Sequence, residues 1–223
     1  MTDPSAPPVG PAEFVLRNTV LAAPSLVPEV SLHLATEVTP LWEATEATLA
    51  RNNLPPPYWA FAWPGGQAVA RYVLDNPEVV RGRAVLDFAA GTGVVGIAAM
   101  KAGAARALAA EIDPFALEAI RLNAAACGVE LAAAGDDLVG KPLPGFDVVL
   151  AGDVCYERPM AERVTAWLRT LAAGGTLVLF GDPGRAYVPR DGIERVAVYD
   201  VPTSLELEDR TVRQTTVWKL LPA

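Results

Sequence analysis

From Ala84 onward, short apolar runs alternate with longer stretches whose apolar positions recur every three or four residues. The short runs are AVLDF (84–88), RALAAE (106–111), VELAAA (129–134), FDVVLAGD (146–153) and GTLVLFGD (175–182). Each predicts a strand, and between them the spacing predicts helices from Val94, from Pro114 to Cys127 and from about Pro159 to Ala172. Apolar strands alternating with helices of this length form βαβ units and a mainly parallel sheet. Beyond Asp182 the pattern changes. ERVAVYDV (194–201) and TVRQTTVWKLL (211–221) are two strand patterns with no helix between them, so they pair antiparallel. The predicted fold class is α/β: a doubly wound, seven-stranded sheet, mainly parallel with an antiparallel last strand.

The first third of the chain reads differently. Residues 1–12 (MTDPSAPPVGPA) hold four prolines and no apolar periodicity, and are expected to be a disordered tail. Glu13 to Ala22 is expected to form one short helix, and the alternation in Val30–Glu37 predicts a strand. Pro40 at a first helical position starts a predicted helix to about Arg51. Pro55, Pro56 and Pro57 end it, and YWAFAWPGGQ leads into a helix from about Gln67 to Leu74. The expected divisions are a tail (1–12), an N-terminal extension and cofactor-covering segment (13–77) and a sheet-bearing core (78–223).

Charge narrows the partners. The net charge is −8, from 18 basic and 26 acidic residues, so a phosphate-binding stripe is not expected and nucleic acid is disfavoured. An acidic surface favours a cationic partner such as a lysine-rich protein segment. The single histidine, His33, and two cysteines 28 positions apart, Cys127 and Cys155, supply no metal-ligand spacing; His33 and Cys155 read as structural. Without an apolar leader or a membrane-length span, a cytoplasmic protein is expected. The excess of arginine (15) over lysine (3) fits a GC-rich bacterial genome.

The chemistry concentrates in VLDFAAGTGVVGIAA (85–99), where Gly91, Gly93 and Gly96 lie between a strand and a helix. Glycines there let a ligand approach the backbone at a helix N-terminus. Glu111 ends the next strand, 20 residues after Gly91, where a carboxylate can accept bonds from ribose hydroxyls. The ligand is then a dinucleotide or S-adenosylmethionine. Asp87, inside the first strand, opposes a pyrophosphate but can bind the ammonium of a methionine moiety. The closing antiparallel strand leaves no separate substrate domain. Asp153 ends the fourth strand beside the point where strand order reverses. These three favour S-adenosylmethionine. Asp136 and Asp137 end the third strand where an adenine amino group would lie, and Asp137 is the preferred contact; Asp113 reads as a helix cap.

With these elements the chain resembles the class I, seven-stranded, Rossmann-like S-adenosylmethionine-dependent methyltransferases. PPPYWAFAWPGGQAVARYVLDNP (55–77), GDVCYE (152–157) and GDPGR (181–185) resemble, more closely, the lysine methyltransferases of the electron transfer flavoprotein β-subunit and their bacterial homologues. The resemblance spans about residues 13–221. It implies S-adenosylmethionine as cofactor, S-adenosylhomocysteine as product, and an exposed lysine of a protein, the electron transfer flavoprotein β-subunit, as substrate. It places Asp153, Tyr156 and Glu157 at the lysine channel as catalytic residues. Trp63 and Trp59 would lie over the methionine end of the cofactor, and Ile112 joins Asp87, Gly91, Gly93, Glu111 and Asp137 in the cofactor-binding set. Asp182 and Arg185 read as a mutual ion pair fixing their loop. Two other readings stand beside it: a methyltransferase of a ribosomal protein or a small molecule, and a non-catalytic binding module of the same fold. No insertion between Asp182 and Glu194 is large enough to enclose a small substrate, which favours an open face for a protein.

Overall fold

The computed structural model describes residues 10–36, 56–205 and 208–222. Helix α1 (Pro11–Asn18) leads into strand β1 (Val20–Ala22), which pairs antiparallel with β2 (Leu32–Leu34). The expected helix Glu13–Ala22 therefore stops early. Thr19 turns its hydroxyl back onto the Val15 carbonyl (2.6 Å) and takes an extended backbone, releasing Val20 to pair with Leu34. The expected strand Val30–Glu37 shortens to Leu32–Leu34, because β1 offers only three partners. The helix expected over 40–51 and residues 1–9 of the expected tail lie outside the described residues, whereas the end of that tail is ordered: Pro11 and Ala12 open α1, with Pro11 in its first turn.

Helix α2 (Pro64–Asp75) starts three residues before the expected Gln67, with Pro64 in its first turn. The core then follows the predicted order: β3 (Ala84–Phe88), α3 (Val94–Lys101), β4 (Arg106–Ala110), α4 (Pro114–Ala126), β5 (Ala132–Ala134), β6 (Val148–Gly152), α5 (Arg158–Ala173), β7 (Leu177–Asp182), β8 (Ile193–Pro202) and β9 (Val212–Leu220). The seven strands lie in the order β5-β4-β3-β6-β7-β9-β8. β3, β4, β5, β6 and β7 pair in parallel; β9 inserts between β7 and β8 and runs antiparallel to both. The sheet is the seven-stranded, mainly parallel, Rossmann-like arrangement expected.

Two cores sandwich the sheet. One buries Val69 and Val73 of α2 with Ile97 and Ala98 of α3 and Val85, Val148 and Leu150 from the strands. The other buries Trp167, Leu168 and Leu171 of α5 against Leu86, Val149 and Phe180. The central strands are covered on both faces, which is why they read as unbroken apolar runs. A third, smaller cluster (Val15, Trp59, Ala60, Ala116 and Ala119) fastens the N-terminal segment to α4. Strand order reverses around β3, so the loops after β3 and β6 open into one crevice, the position where α/β sheets bind ligands.

Candidate active site

The glycine loop is built from its backbone outward. Ala89 leaves β3 with φ 53°, Gly91 has φ 51° and Gly93, the N-cap of α3, has φ 76°. A positive φ at alanine is strained, a condition that clusters at ligand sites. Nothing lies within 4 Å of where a Gly91 side chain would begin, so this face of the loop is open. Gly93 instead abuts Ile120 of α4, which holds the loop from behind. Asn123, fully buried on α4, donates to the Thr92 carbonyl (2.9 Å) and accepts from the His33 N–H (2.6 Å). One amide thus ties the loop to β2. Sequence reasoning missed it, although it is the lone polar residue on a buried stripe of Ala116, Ala119 and Ile120.

Asp87 and Glu111 flank this loop. Asp87, 1% exposed, accepts from the Gly96 N–H (2.8 Å) in the first turn of α3. Burial pushes its carboxyl up to about 8 against that hydrogen bond, with Glu111 adding to the rise. A buried acid this reluctant to ionise suits a cationic partner. Glu111 spans two backbones: one oxygen accepts from Gly91 N–H (3.0 Å), the other from Ile112 N–H (2.8 Å). Ile112 itself is 70% exposed, an apolar surface at the crevice mouth. Asp113 caps α4 through the Phe115 N–H, as expected. Two carboxylates, an open glycine and an exposed isoleucine fit a nucleoside carrying an amino-acid end, and they oppose a phosphate. S-adenosylmethionine fits this donor set.

The remaining cofactor candidates separate. Asp137 is exposed; it accepts from Val139 N–H (3.0 Å) and pairs with Arg163 (3.4 Å), and Asp136 is exposed beside it. Trp63 caps α2 at the crevice, its indole N–H on the Tyr58 carbonyl (2.8 Å). Trp59 is not brought beside it. At 3% exposure it stacks on Phe115 (6.5 Å between centroids) among Val15, Ala60 and Ala119, so the structure places it in the packing of the N-terminal segment.

The second half of the crevice centres on Asp153. It follows β6 with φ 55°, and its side chain is 10% exposed. Oδ2 accepts from the Gly66 N–H (3.0 Å), so a carboxylate from the sheet caps the first turn of α2. Oδ1 pairs with Arg185 (3.1 Å). Burial pushes this carboxyl up to about 7, opposed by Arg185 and reinforced by Asp182. The approach is possible because Gly65 and Gly66 of α2 meet Gly152 and Gly181 of the sheet. A Cβ on Gly65 would fall 2.5 Å from Asp153 Oδ2 and closer still to the Gly181 carbonyl; one on Gly152 would fall 2.5 Å from Gly66 N. Gln67, buried behind them, accepts from the Leu26 N–H and donates to the Ala62 carbonyl.

Arg185 and Asp182 do not form the mutual pair expected. Asp182 Oδ1 accepts from the backbone N–H groups of Gly184 and Arg185 (2.7 Å each), folding the loop tightly. That frees the Arg185 guanidinium to reach Asp153 and Glu208 (2.8 Å). Burial works against the charge of Arg185, but Asp153 and Glu208 outweigh it and raise its pKa. Glu208, buried in the β8–β9 connection, also takes Arg213 through two bonds (2.9 and 2.7 Å). No local pattern marks Glu208, which lies 23 residues from Arg185 in the sequence.

Aromatic rings form the rim. Arg185 lies 6.0 Å from the Trp63 ring centroid; Trp63 meets Tyr58 and Phe61 edge-on, and Tyr58 meets Tyr156 at 5.7 Å. Tyr156 is 44% exposed and Glu157, the N-cap of α5, is exposed beyond it. Asp153, Tyr156 and Trp63 are thus brought together, with Glu157 outside them. Cys155 is buried, its thiol pushed up to about 12 by burial and then by Asp182 and Asp153, and is inert. His33 sits in the hairpin, where burial lowers its pKa.

A family profile described as "Ribosomal protein L11 methyltransferase (PrmA)" matches residues 71–181. That span starts after W-P-G-G-Q and ends before Arg185 and Glu208, so it covers the cofactor half of the crevice together with Asp153, Tyr156 and Glu157. The electron transfer flavoprotein beta subunit lysine methyltransferase of Danio rerio is 38% identical over 213 residues, covering 92% of this chain and 81% of that protein. Among solved structures, the ribosomal protein L11 methylase of Lactobacillus delbrueckii subsp. bulgaricus matches with TM-score 0.51 at 19% identity, over 73% of this chain and 81% of its own. The magnesium protoporphyrin IX methyltransferase of Synechocystis PCC 6803, with bound S-adenosylhomocysteine, matches with TM-score 0.51 at 16% identity, over 71% and 81%. These two share the fold.

Proposed function

This chain belongs to the electron transfer flavoprotein β-subunit lysine methyltransferase family of S-adenosylmethionine-dependent methyltransferases, and we propose that it methylates lysine ε-amines of a protein, the electron transfer flavoprotein β-subunit first among them. The observation that carries the proposal is the position of Asp153: a buried carboxylate at the end of β6, rimmed by Trp63, Tyr58 and Tyr156, one strand from the glycine loop.

In this reading Asp87 holds the ammonium of the cofactor, Glu111 its ribose, Ile112 and Asp137 its adenine side, and Gly91 and Gly93 the backbone surface against it. Bound S-adenosylmethionine supplies an electrophilic methyl group. The protein must then aim a lysine nitrogen with a free lone pair. Deprotonating a lysine of ordinary pKa at pH 7 costs about 4.6 kcal/mol. Asp153 grips and orients the amine, while Tyr156 and Trp63 strip it of water, which favours its neutral form. Glu157, outside the ring cluster, attracts the cation on approach, and the net charge of −8 extends that attraction to basic segments. Of the extension 13–77, the described turn before α2, which carries Tyr58 and Trp63, serves as the segment covering the cofactor, over the core of 78–223. The two unpaired cysteines suit a reducing cytoplasm, and the arginine excess a bacterial member of the family. Among the described residues, no helix is long and apolar enough to cross a membrane.

The test is incubation with methyl-labelled S-adenosylmethionine and either the purified β-subunit or a cell extract. Label on β-subunit lysines is expected. Strong labelling of another extract protein with none on the β-subunit moves the substrate; no labelled protein at all overturns the proposal.

A further inference from the structure

The Asp153 carboxylate is bound from two sides before any substrate arrives. Gly66 N–H takes one oxygen, and the Arg185 guanidinium the other, at 3.1 Å. A carboxylate this buried demands a positive charge nearby. A lysine that met it alone would satisfy that demand by keeping its proton, and a protonated amine has no lone pair to give. Arginine keeps its charge in every protein environment, so it meets the demand with no proton involved. We propose that Arg185 is a positioning residue acting through Asp153: it supplies the cation the carboxylate requires, so that the substrate lysine enters as the free base. This rests on lysine being the substrate.

The surrounding charges allow it. Asp153, Cys155, Tyr156 and Glu157 face this point from the segment after β6, and Asp182 and Arg185 from the loop after β7. Tyr58 comes from the turn before α2, Glu111 from the end of β4 and Glu208 from the β8–β9 connection. Glu208 is the group placed to cancel Arg185, but Arg213 already holds it through two bonds, and Asp209 pairs with Arg213 in turn (2.9 Å). Arg185 thus divides its charge between Asp153 and Glu208, and Arg213 takes over part of the Glu208 share. The proton shed by the lysine passes to solvent at the open rim.

The experiment follows kcat from pH 6.5 to 10 on the electron transfer flavoprotein β-subunit, at saturating substrate and cofactor. Arg185→Gln should move the rising limb up by about 1–2 pH units, the range a neighbouring charge produces, and approach wild-type kcat at the alkaline end. Arg185→Lys should leave the limb in place, and Glu208→Gln should move it down. A second readout is free of turnover. With S-adenosylhomocysteine present, calorimetry at pH 9 and above, beyond the titration of Asp153 near 7, in buffers of different ionisation enthalpy counts the protons released as the β-subunit binds, and wild type should release more than Arg185→Gln. Parallel profiles with equal proton release overturn the inference, as does a loss in Arg185→Gln that is uniform across pH. If Arg185→Gln does not fold, the Arg185→Lys and Glu208→Gln profiles decide. A wild-type enzyme that leaves every lysine of the β-subunit unmethylated refutes the proposed function; an active wild type with unshifted variants refutes this inference alone.

Discussion

Replacing Asn123 by alanine should destabilise the fold and loosen the cofactor loop together. The side chain makes two hydrogen bonds to backbone, one donated to Thr92 and one accepted from His33. The Thr92 carbonyl lies in a buried residue, and losing its partner costs about 1–3 kcal/mol. The His33 N–H is part-buried, so water replaces some of its bond and the loss is about 0.5–1.5 kcal/mol. Together these predict about 1.5–4.5 kcal/mol, a large share of the ~5–15 kcal/mol that holds a domain. Urea unfolding of Asn123→Ala should show a lower midpoint at an unchanged slope. If about 1.4 kcal/mol of the loss falls on the loop, S-adenosylhomocysteine affinity drops about tenfold by calorimetry. Asn123→Asp separates the two bonds: it keeps the acceptor for His33 and loses the donor to Thr92, so its affinity should be no better than that of alanine. An unfolding free energy within about 0.5 kcal/mol of wild type, at unchanged cofactor affinity, would refute the role of this amide.

Other outcomes follow from the same contacts. Asp153→Ala should leave S-adenosylhomocysteine affinity nearly intact while turnover falls at least about 10²-fold; Asp153→Asn, which can still accept from Gly66, should be more stable than alanine by about 1 kcal/mol in a urea titration. Gly65→Ala drives a Cβ into Asp153 and Gly181 and should cost about 1–3 kcal/mol or more with loss of turnover, whereas Gly66→Ala, whose Cβ meets only Val94 at ordinary contact distance, should cost less in the same urea titration. Glu111→Ala should weaken S-adenosylhomocysteine binding about ten- to a hundredfold, since bonds to a charged acceptor are worth about 1.5–3 kcal/mol; unchanged affinity removes Glu111 from the site. Asp87 holds its proton to about 8 when folded, against 3.8 ordinarily, so its contribution to stability is complete below about pH 4 and is lost as pH rises toward 8. Asp87→Asn should flatten that decline in Tm between pH 5 and 8, and an identical slope would show that Asp87 is not its source.

The βαβ core could be read in the sequence because each central strand is covered on both faces and therefore appears as a continuous apolar run, as at Val148–Ala151. The N-terminal hairpin could not. Val20 and Leu21 continue the apolar texture of the helix before them, and strands of three residues hold too few positions to display a period of two. Gly65 and Gly66 look like a turn, and they enter the first turn of a helix behind Pro64, where the distant Asp153 accepts from the Gly66 N–H. The site divides in the same way. Asp87, Glu111 and Asp153 are legible because each carboxylate sits at a strand's inner or final position, where few acids are tolerated. The hold of Arg185 on Asp153, 32 residues away, depends on how Asp182 folds its loop, and Glu208 reaches Arg185 from another connection entirely. Trp59 and Trp63 sit four residues apart in one motif, yet the single 3₁₀ turn at Tyr58–Ala60 sends one inward and leaves the other at the crevice.

The contact between Gly65, Gly66, Gly152 and Gly181 separates shape from chemistry within what looks like one signature. Gly65, Gly152 and Gly181 are small because another backbone occupies the space a side chain would need, whereas Gly66, whose Cβ would meet only the Val94 side chain at ordinary contact distance, lends its N–H to Asp153. These three behave as spacers, and enlarging any one drives it into the facing backbone. A chain that keeps W-P-G-G-Q and both sheet glycines but replaces Asp153 would therefore still seat this helix on this sheet, and would inherit the outline of the crevice without the carboxylate proposed to aim the lysine.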